Sequence, residues 1–96
     1  MSAYFVAQIT ITDPDAYERY LAGFDDIFAR YQGTVVAVDD HPVVLEGKWA
    51  CTRVVLMRFP GEAELRAWYD SPEYQALAEF RRAASQADIL LVHGRE

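Results

Sequence analysis

Seven residues, Arg53 to Phe59, read RVVLMRF, and they constrain the fold more than any other stretch. The run is too short for a buried helix and too apolar for a strand with one wet face. After the leading Arg53 and apart from Arg58, it is hydrophobic on both alternating sides, as expected of a central strand covered twice. Pro60-Gly61 ends it sharply. The wider stretch from Glu46 to Tyr74, EGKWACTRVVLMRFPGEAELRAWYDSPEY, also holds both tryptophans.

The flanking segments supply partners for this strand. Residues 3–11, AYFVAQITI, alternate with Phe5, Ala7, Ile9 and Ile11 on one face and predict a first strand. Asp13-Pro14 has the pattern of an N-cap followed by the first helical residue. From Pro14 to about Gln32, Tyr17, Tyr20, Leu21, Phe24, Ile27, Phe28 and Tyr31 recur at spacings of three and four, an apolar helical stripe. Gly33 is placed to end that helix in the left-handed conformation. Thr34 to Asp39, TVVAVD, is the second strand, and Val43-Val44-Leu45 a short strand or kinked extension after the Asp40-His41-Pro42 turn.

After Pro60-Gly61 a helix begins, with Leu65, Trp68 and Tyr69 on one side. Ser71-Pro72 repeats the cap-and-proline pattern, which predicts a break near Asp70. The second half runs to about Gln86 and aligns Tyr74, Leu77, Ala78, Arg81 and Ala84. Ala87 to Val92 leads into a last strand, DILLV, which ends near His93-Gly94, and Arg95-Glu96 should fray.

The order β-α-β-β-α-β in 96 residues predicts one α+β domain over residues 1–96. Two interleaved crossovers give a four-stranded antiparallel sheet with the helices on one face, the ferredoxin-like arrangement. Its second face would expose Tyr4, Val6, Val35, Ala37 and Leu91. With hydrophobic residues at 52% and aromatics at 14%, more apolar surface is present than a small monomer hides. A homodimer packed sheet to sheet is therefore expected, against the alternative of a monomer with an exposed apolar sheet.

Several function classes are excluded or disfavoured. Net charge is −6 and the basic residues are scattered, so no nucleic-acid partner is expected. No apolar run is long enough to span a membrane, and the first residues lack the basic start of a signal peptide. Cys51 is the single cysteine, which fits a cytoplasmic, reducing location. Two histidines and one cysteine make no metal site, and Gly-rich phosphate loops and Gly-x-Ser-x-Gly are absent. No cofactor is expected.

Candidate ligand-binding residues are Trp49, Arg53, Trp68 and Tyr69: broad aromatic faces beside one planar cation. Candidate catalytic residues are His41, Glu46 and Arg53. His41 follows Asp39-Asp40, which would orient its imidazole as a general base. The competing reading puts Trp68 and Tyr69 in the core, pairs Glu46 with Arg53, sets Trp49 at the dimer edge and leaves His41 in a wet turn. His93 is more simply structural, and Cys51 has no evident base partner.

Glu46-Gly47, Trp49, Arg53-Val54-Val55, Phe59-Pro60, Trp68-Tyr69, Ser71 to Leu77, Arg81 and Gly94 together resemble the domain of unknown function 1330 family. The resemblance covers nearly the whole chain. It implies a dimeric α/β barrel built from ferredoxin-like subunits, a fold shared with cofactor-independent monooxygenases, haem-degrading enzymes and stress-responsive barrel proteins, and it implies no settled activity. Many members carry a Gly-Gly pair after the first helix and an Arg-Gly-Gly turn after the second strand. Here those places hold Gly33-Thr34 and Val38-Asp39-Asp40-His41, so a role anchored by that arginine is not carried over. The expected function is small-molecule binding between helices and sheet, as in a cofactor-independent enzyme. The alternative is a non-catalytic module for self-association or protein contact.

Overall fold

The structure, a computed structural model, describes residues 1–50 and 52–96. Its elements follow in the order β1 (Ala3–Ile11), α1 (Pro14–Phe28), β2 (Thr34–Asp39), β3 (Arg53–Phe59), α2 (Glu62–Tyr69), α3 (Pro72–Ala84) and β4 (Ser85–His93). The sheet order is β2-β3-β1-β4, antiparallel throughout. The two most apolar strands, β1 and β3, are central as expected. The α+β, ferredoxin-like fold is thus the observed one, with the second helix divided in two.

The helix boundaries follow local chemistry. Asp13 Oδ1 accepts the N–H of Ala16 at 3.2 Å, and Pro14 occupies the first turn, where no donor is needed. Between α2 and α3, Ser71 Oγ donates to the Trp68 carbonyl at 2.8 Å and accepts from the Tyr74 N–H at 3.2 Å. One hydroxyl therefore closes one helix and opens the next, while Pro72 prevents a continuous run. Gln75 Nε2 satisfies the Tyr69 carbonyl at 2.7 Å.

Ala3, Phe5, Ala7 and Ile9 of β1 and Val55, Met57 and Phe59 of β3 form the sheet side of the core. Trp68 is fully buried at its centre, with Tyr74 at 4.3 Å, Phe5 at 5.3 Å, Phe28 at 5.4 Å and Phe59 at 5.5 Å between ring centroids. Truncating a ring in such a position costs about 3–5 kcal/mol.

Five expectations change. Helix α1 stops at Phe28, short of Gln32. Gly33 does not adopt a left-handed conformation; positive φ is found at Gly47. Gly33 is needed for space, since a Cβ there would lie 2.6 Å from Phe59 Cε2. Residues 43–45 form no strand, because they do not pair with a neighbour. Val35 and Leu91 face the helices, since they sit opposite Met57 and Phe5, both core residues. A register shift between Val35 and Ala37 reverses the simple alternation of β2. Finally, the C-terminus is tied down: the Gly94 N–H donates to the Ser2 carbonyl and the Ser2 N–H to Glu96 Oε1, both at 2.6 Å.

The helix-free face carries Tyr4 and Val6 of β1, Leu56 of β3, and Leu90 and Val92 of β4, the last two at 62% and 42% exposure. Val43 and Leu45, in the segment after β2, are also exposed.

Candidate functional site

The helix face of the sheet borders a partly open cavity of about 420 Å³ beneath α1. Phe5, Ile9, Val55 and Met57 form its floor, and Val35 and Val38 of β2 its outer wall. Tyr17, Tyr20, Leu21 and Phe24 of α1 form the roof. The cavity exists because α1 packs chiefly along α3 and stands off the sheet on its aromatic side chains. Gly23 permits the close helix pair: a Cβ there would meet Leu77 Cδ1 at 2.6 Å. A volume of this size with mostly apolar walls and few polar groups suits a small ligand.

The polar groups are two arginines, two phenols and, at the exposed rim, Asp25. Arg53 projects from the first position of β3, with its guanidinium 5.9 Å from the Tyr17 ring centroid. Its Nη1 pairs with Asp40 Oδ1 at 2.8 Å, and its buried Nε has no hydrogen-bond partner. Arg81 enters from the last turn of α3 and is only 4% exposed. Its guanidinium lies 5.8 Å from the Tyr20 ring centroid, and its Nε is also buried without a partner. The Tyr20 and Tyr74 hydroxyls share a buried hydrogen bond of 2.7 Å.

Burial governs the protonation of these groups. It raises the Tyr17 phenol, an effect that nearby Arg53 partly reverses. It pushes the Tyr20 phenol far above its ordinary value, with Tyr74 adding to the shift. Both phenols are therefore neutral at physiological pH. Burial works against the charge of Arg81, but the adjoining Tyr74 and Tyr20 hydroxyls outweigh it, and its pKa is raised. The arrangement presents cations and neutral phenol groups toward an apolar space, which is chemistry for holding and polarising an oxygen-bearing ligand.

Of the residues singled out from sequence, Arg53 borders this cavity. Its acidic partner is Asp40, not Glu46. Trp68 belongs to the core, behind Phe5 and Phe24. Tyr69 is half-buried and edges two smaller hollows nearer β4. Trp49 and Glu46 line a separate shallow hollow with Pro42 to Leu45 and Val54. His41 is exposed, and its backbone N–H donates to Asp39 Oδ1 at 2.8 Å, so that aspartate shapes the turn and does not orient the ring. His93 Nε2 contacts Glu62 Oε1 at 2.6 Å on the surface. Cys51 lies outside the described residues. Among the described residues, no group of three His, Cys, Asp or Glu side chains is placed to hold a metal ion, and no helix is long and apolar enough to cross a membrane.

Arg81, Tyr17, Tyr20 and Phe24 are the cavity residues that sequence reasoning assigned only to packing. One signal for Arg81 was visible. It is a cation on the apolar stripe of α3, where a hydrophobic residue would serve packing alone.

Fold and cavity together define a ferredoxin-like α+β protein with a partly open cleft between one helix and the sheet. The chain belongs to the family described as Domain of unknown function (DUF1330), whose model matches residues 2–95. No curated protein matches it. Among solved structures, a protein of unknown function from Rhodopseudomonas palustris is similar with a TM-score of 0.82 at 17% identity, over 99% of this chain and 83% of that one. SnoaB, a cofactor-independent oxygenase from Streptomyces nogalater, is similar with a TM-score of 0.67 at 22% identity, over 99% and 94%. A dimeric ferredoxin-like protein of unknown function from Thermobifida fusca has a TM-score of 0.62 at 18% identity, over 96% and 92%. At these identities the shared property is the fold.

Proposed function

We propose that this chain binds a small organic molecule in the cavity beneath α1, with Arg53 among the groups that contact it. The cavity itself carries the proposal: about 420 Å³ with mostly apolar walls and two guanidinium groups at its edge. The fold shared with SnoaB supports cofactor-independent oxidation of that molecule as the reaction to test. A thermal-shift series of small aromatic compounds tests binding. A compound at a hundredfold excess over its Kd stabilises the native state by about 2.7 kcal/mol. The reading fails if none raises the midpoint, or if Val38→Trp, which fills the cavity, leaves the response unchanged.

A second reading has its own observation. Tyr4, Val6, Leu56, Leu90 and Val92 leave one sheet face apolar and without a helix over it. We infer that a second copy of the chain covers this face, a sheet-to-sheet homodimer, as the dimeric ferredoxin-like relative from Thermobifida fusca supports. Self-association without catalysis is then the whole function if the cavity stays unliganded in the binding series.

A further inference from the structure

The cavity beneath α1 is bordered by a buried charge with no counter-ion among the described residues. Among the described residues, Arg53 is paired with Asp40, Arg66 with Glu62 and Arg82 with Glu79. Arg81 is more deeply buried than any of these and has no carboxylate partner among the described residues. Asp25 also borders the cavity, but it is exposed and forms no ion pair with Arg81. What surrounds the guanidinium is the Tyr20 ring, the neighbouring Tyr74 hydroxyl and the cavity itself. Its Nε is buried and makes no hydrogen bond.

A buried cation held only by neutral groups is costly unless something compensates it. Helix packing does not require it here. Position 81 lies on the stripe with Tyr74, Leu77, Ala78 and Ala84, where an aliphatic side chain would pack without a desolvation penalty. The planar fork of an arginine matches a carboxylate, and the roof of Tyr17, Tyr20 and Phe24 suits a flat apolar body. Arg81 also edges a shallower hollow near β4. The other arginine there, Arg82, is already engaged by Glu79 and Gln75.

We propose that the ligand of the cavity is an organic anion, a small carboxylate on an aromatic or otherwise apolar body, and that Arg81 is its anchor. This rests on the cavity being a binding site, and it adds the charge of the ligand and the residue that selects it. Because the cost of burying the cation is met on folding, docking of an anion needs little further reorganisation. Arg53, already neutralised by Asp40, lies beside Tyr17, whose phenol lies close enough to feel both arginines.

The test compares 1-naphthoate with 1-naphthamide, alike in shape and different in charge, by titration calorimetry on the intact chain and on Arg81→Met. A charge-assisted hydrogen bond predicts that the wild type favours naphthoate by about ten- to hundredfold, and that the variant loses this preference. In parallel, the Arg81 Nε–H resonance of ¹⁵N-labelled wild-type protein should move on addition of naphthoate and stay in place with naphthamide. Equal affinity for the two compounds in the wild type, or an undiminished preference in the variant, overturns the anion assignment while leaving the cavity reading intact. Binding of neither compound overturns both. If Arg81→Met does not fold, the wild-type affinity ratio and the Nε–H resonance decide the matter together.

Discussion

Arg81→Met in ligand-free protein separates a group kept for binding from one kept for folding. Methionine retains an unbranched apolar stem and removes the guanidinium. Replacing a buried ionic group by a hydrophobic one of similar volume is often stabilising, by about 1–4 kcal/mol. Two losses oppose that gain. The contact over the Tyr20 ring, at 5.8 Å, is worth about 0.5–2 kcal/mol. Interaction of the cation with the adjoining Tyr74 hydroxyl is worth about 1.5 kcal/mol. A gain of about 1–4 kcal/mol against losses of about 2–3.5 kcal/mol centres the expected change near zero, with a loss of at most about 2.5 kcal/mol. Protein stripped of ligand by unfolding and refolding, followed by urea denaturation and calorimetry, gives the value. A structural ion-pair member would behave differently, because removing one partner of a buried pair costs about 3–5 kcal/mol. A loss of 3 kcal/mol or more would refute the reasoning and make Arg81 a part of the fold.

Ser71→Ala removes the hydroxyl that caps α3 and closes α2; a loss of about 1–2 kcal/mol is expected in urea unfolding, and an unchanged midpoint would show that the cap is dispensable. Leu56→Glu places a carboxylate in the middle of the apolar sheet face, so sedimentation should show dimeric wild type and monomeric variant; a monomeric wild type at micromolar concentration ends the dimer proposal. Ser2, through its side chain and then its N–H, holds Glu96 at a pKa of about 2, below its ordinary 4.5. A depressed carboxylate pKa means that its stabilisation is full above about pH 4.5 and disappears as pH falls toward 2. The urea midpoints of wild type and Glu96→Gln should therefore converge over that interval, and a pH-independent gap would contradict the terminal clasp.

Much of the fold was legible because its signals are local. RVVLMRF carries apolar side chains on both sides within seven consecutive residues, although only Val55, Met57 and Phe59 are buried in the chain itself. Asp13-Pro14 and Ser71-Pro72 each place a cap acceptor before a residue that lacks an N–H, and both helices start there. The errors arose where one residue slips the pattern. The register shift in β2 turned Val35 toward the helices, and the alternation of β4 put Leu90, not Leu91, on the open face. A slip of one position exchanges the two sides of a strand, and periodicity alone does not locate the slip.

The candidate site was less legible. Trp68 and Tyr69 were conspicuous in sequence because large aromatics draw attention, yet Trp68 serves as the centre of the core. Arg53 and Trp49 stand four residues apart and enter different hollows. Arg81 stood out in sequence only as a cation on the apolar stripe of α3, and its surroundings decided what that means.

The sequence by itself determined the order of the main elements, the starts of α1 and α3 and the family, because periodicity, caps and breaks are written within a few residues of where they act. Only the tertiary structure decided that a cleft exists beneath α1 and which groups face it. Tyr20 and Tyr74, whose hydroxyls meet at 2.7 Å, are 54 residues apart in the chain. That meeting, like the burial of Arg81 without a carboxylate, is set by how α1 and α3 pack together above the sheet, and no local pattern encodes it.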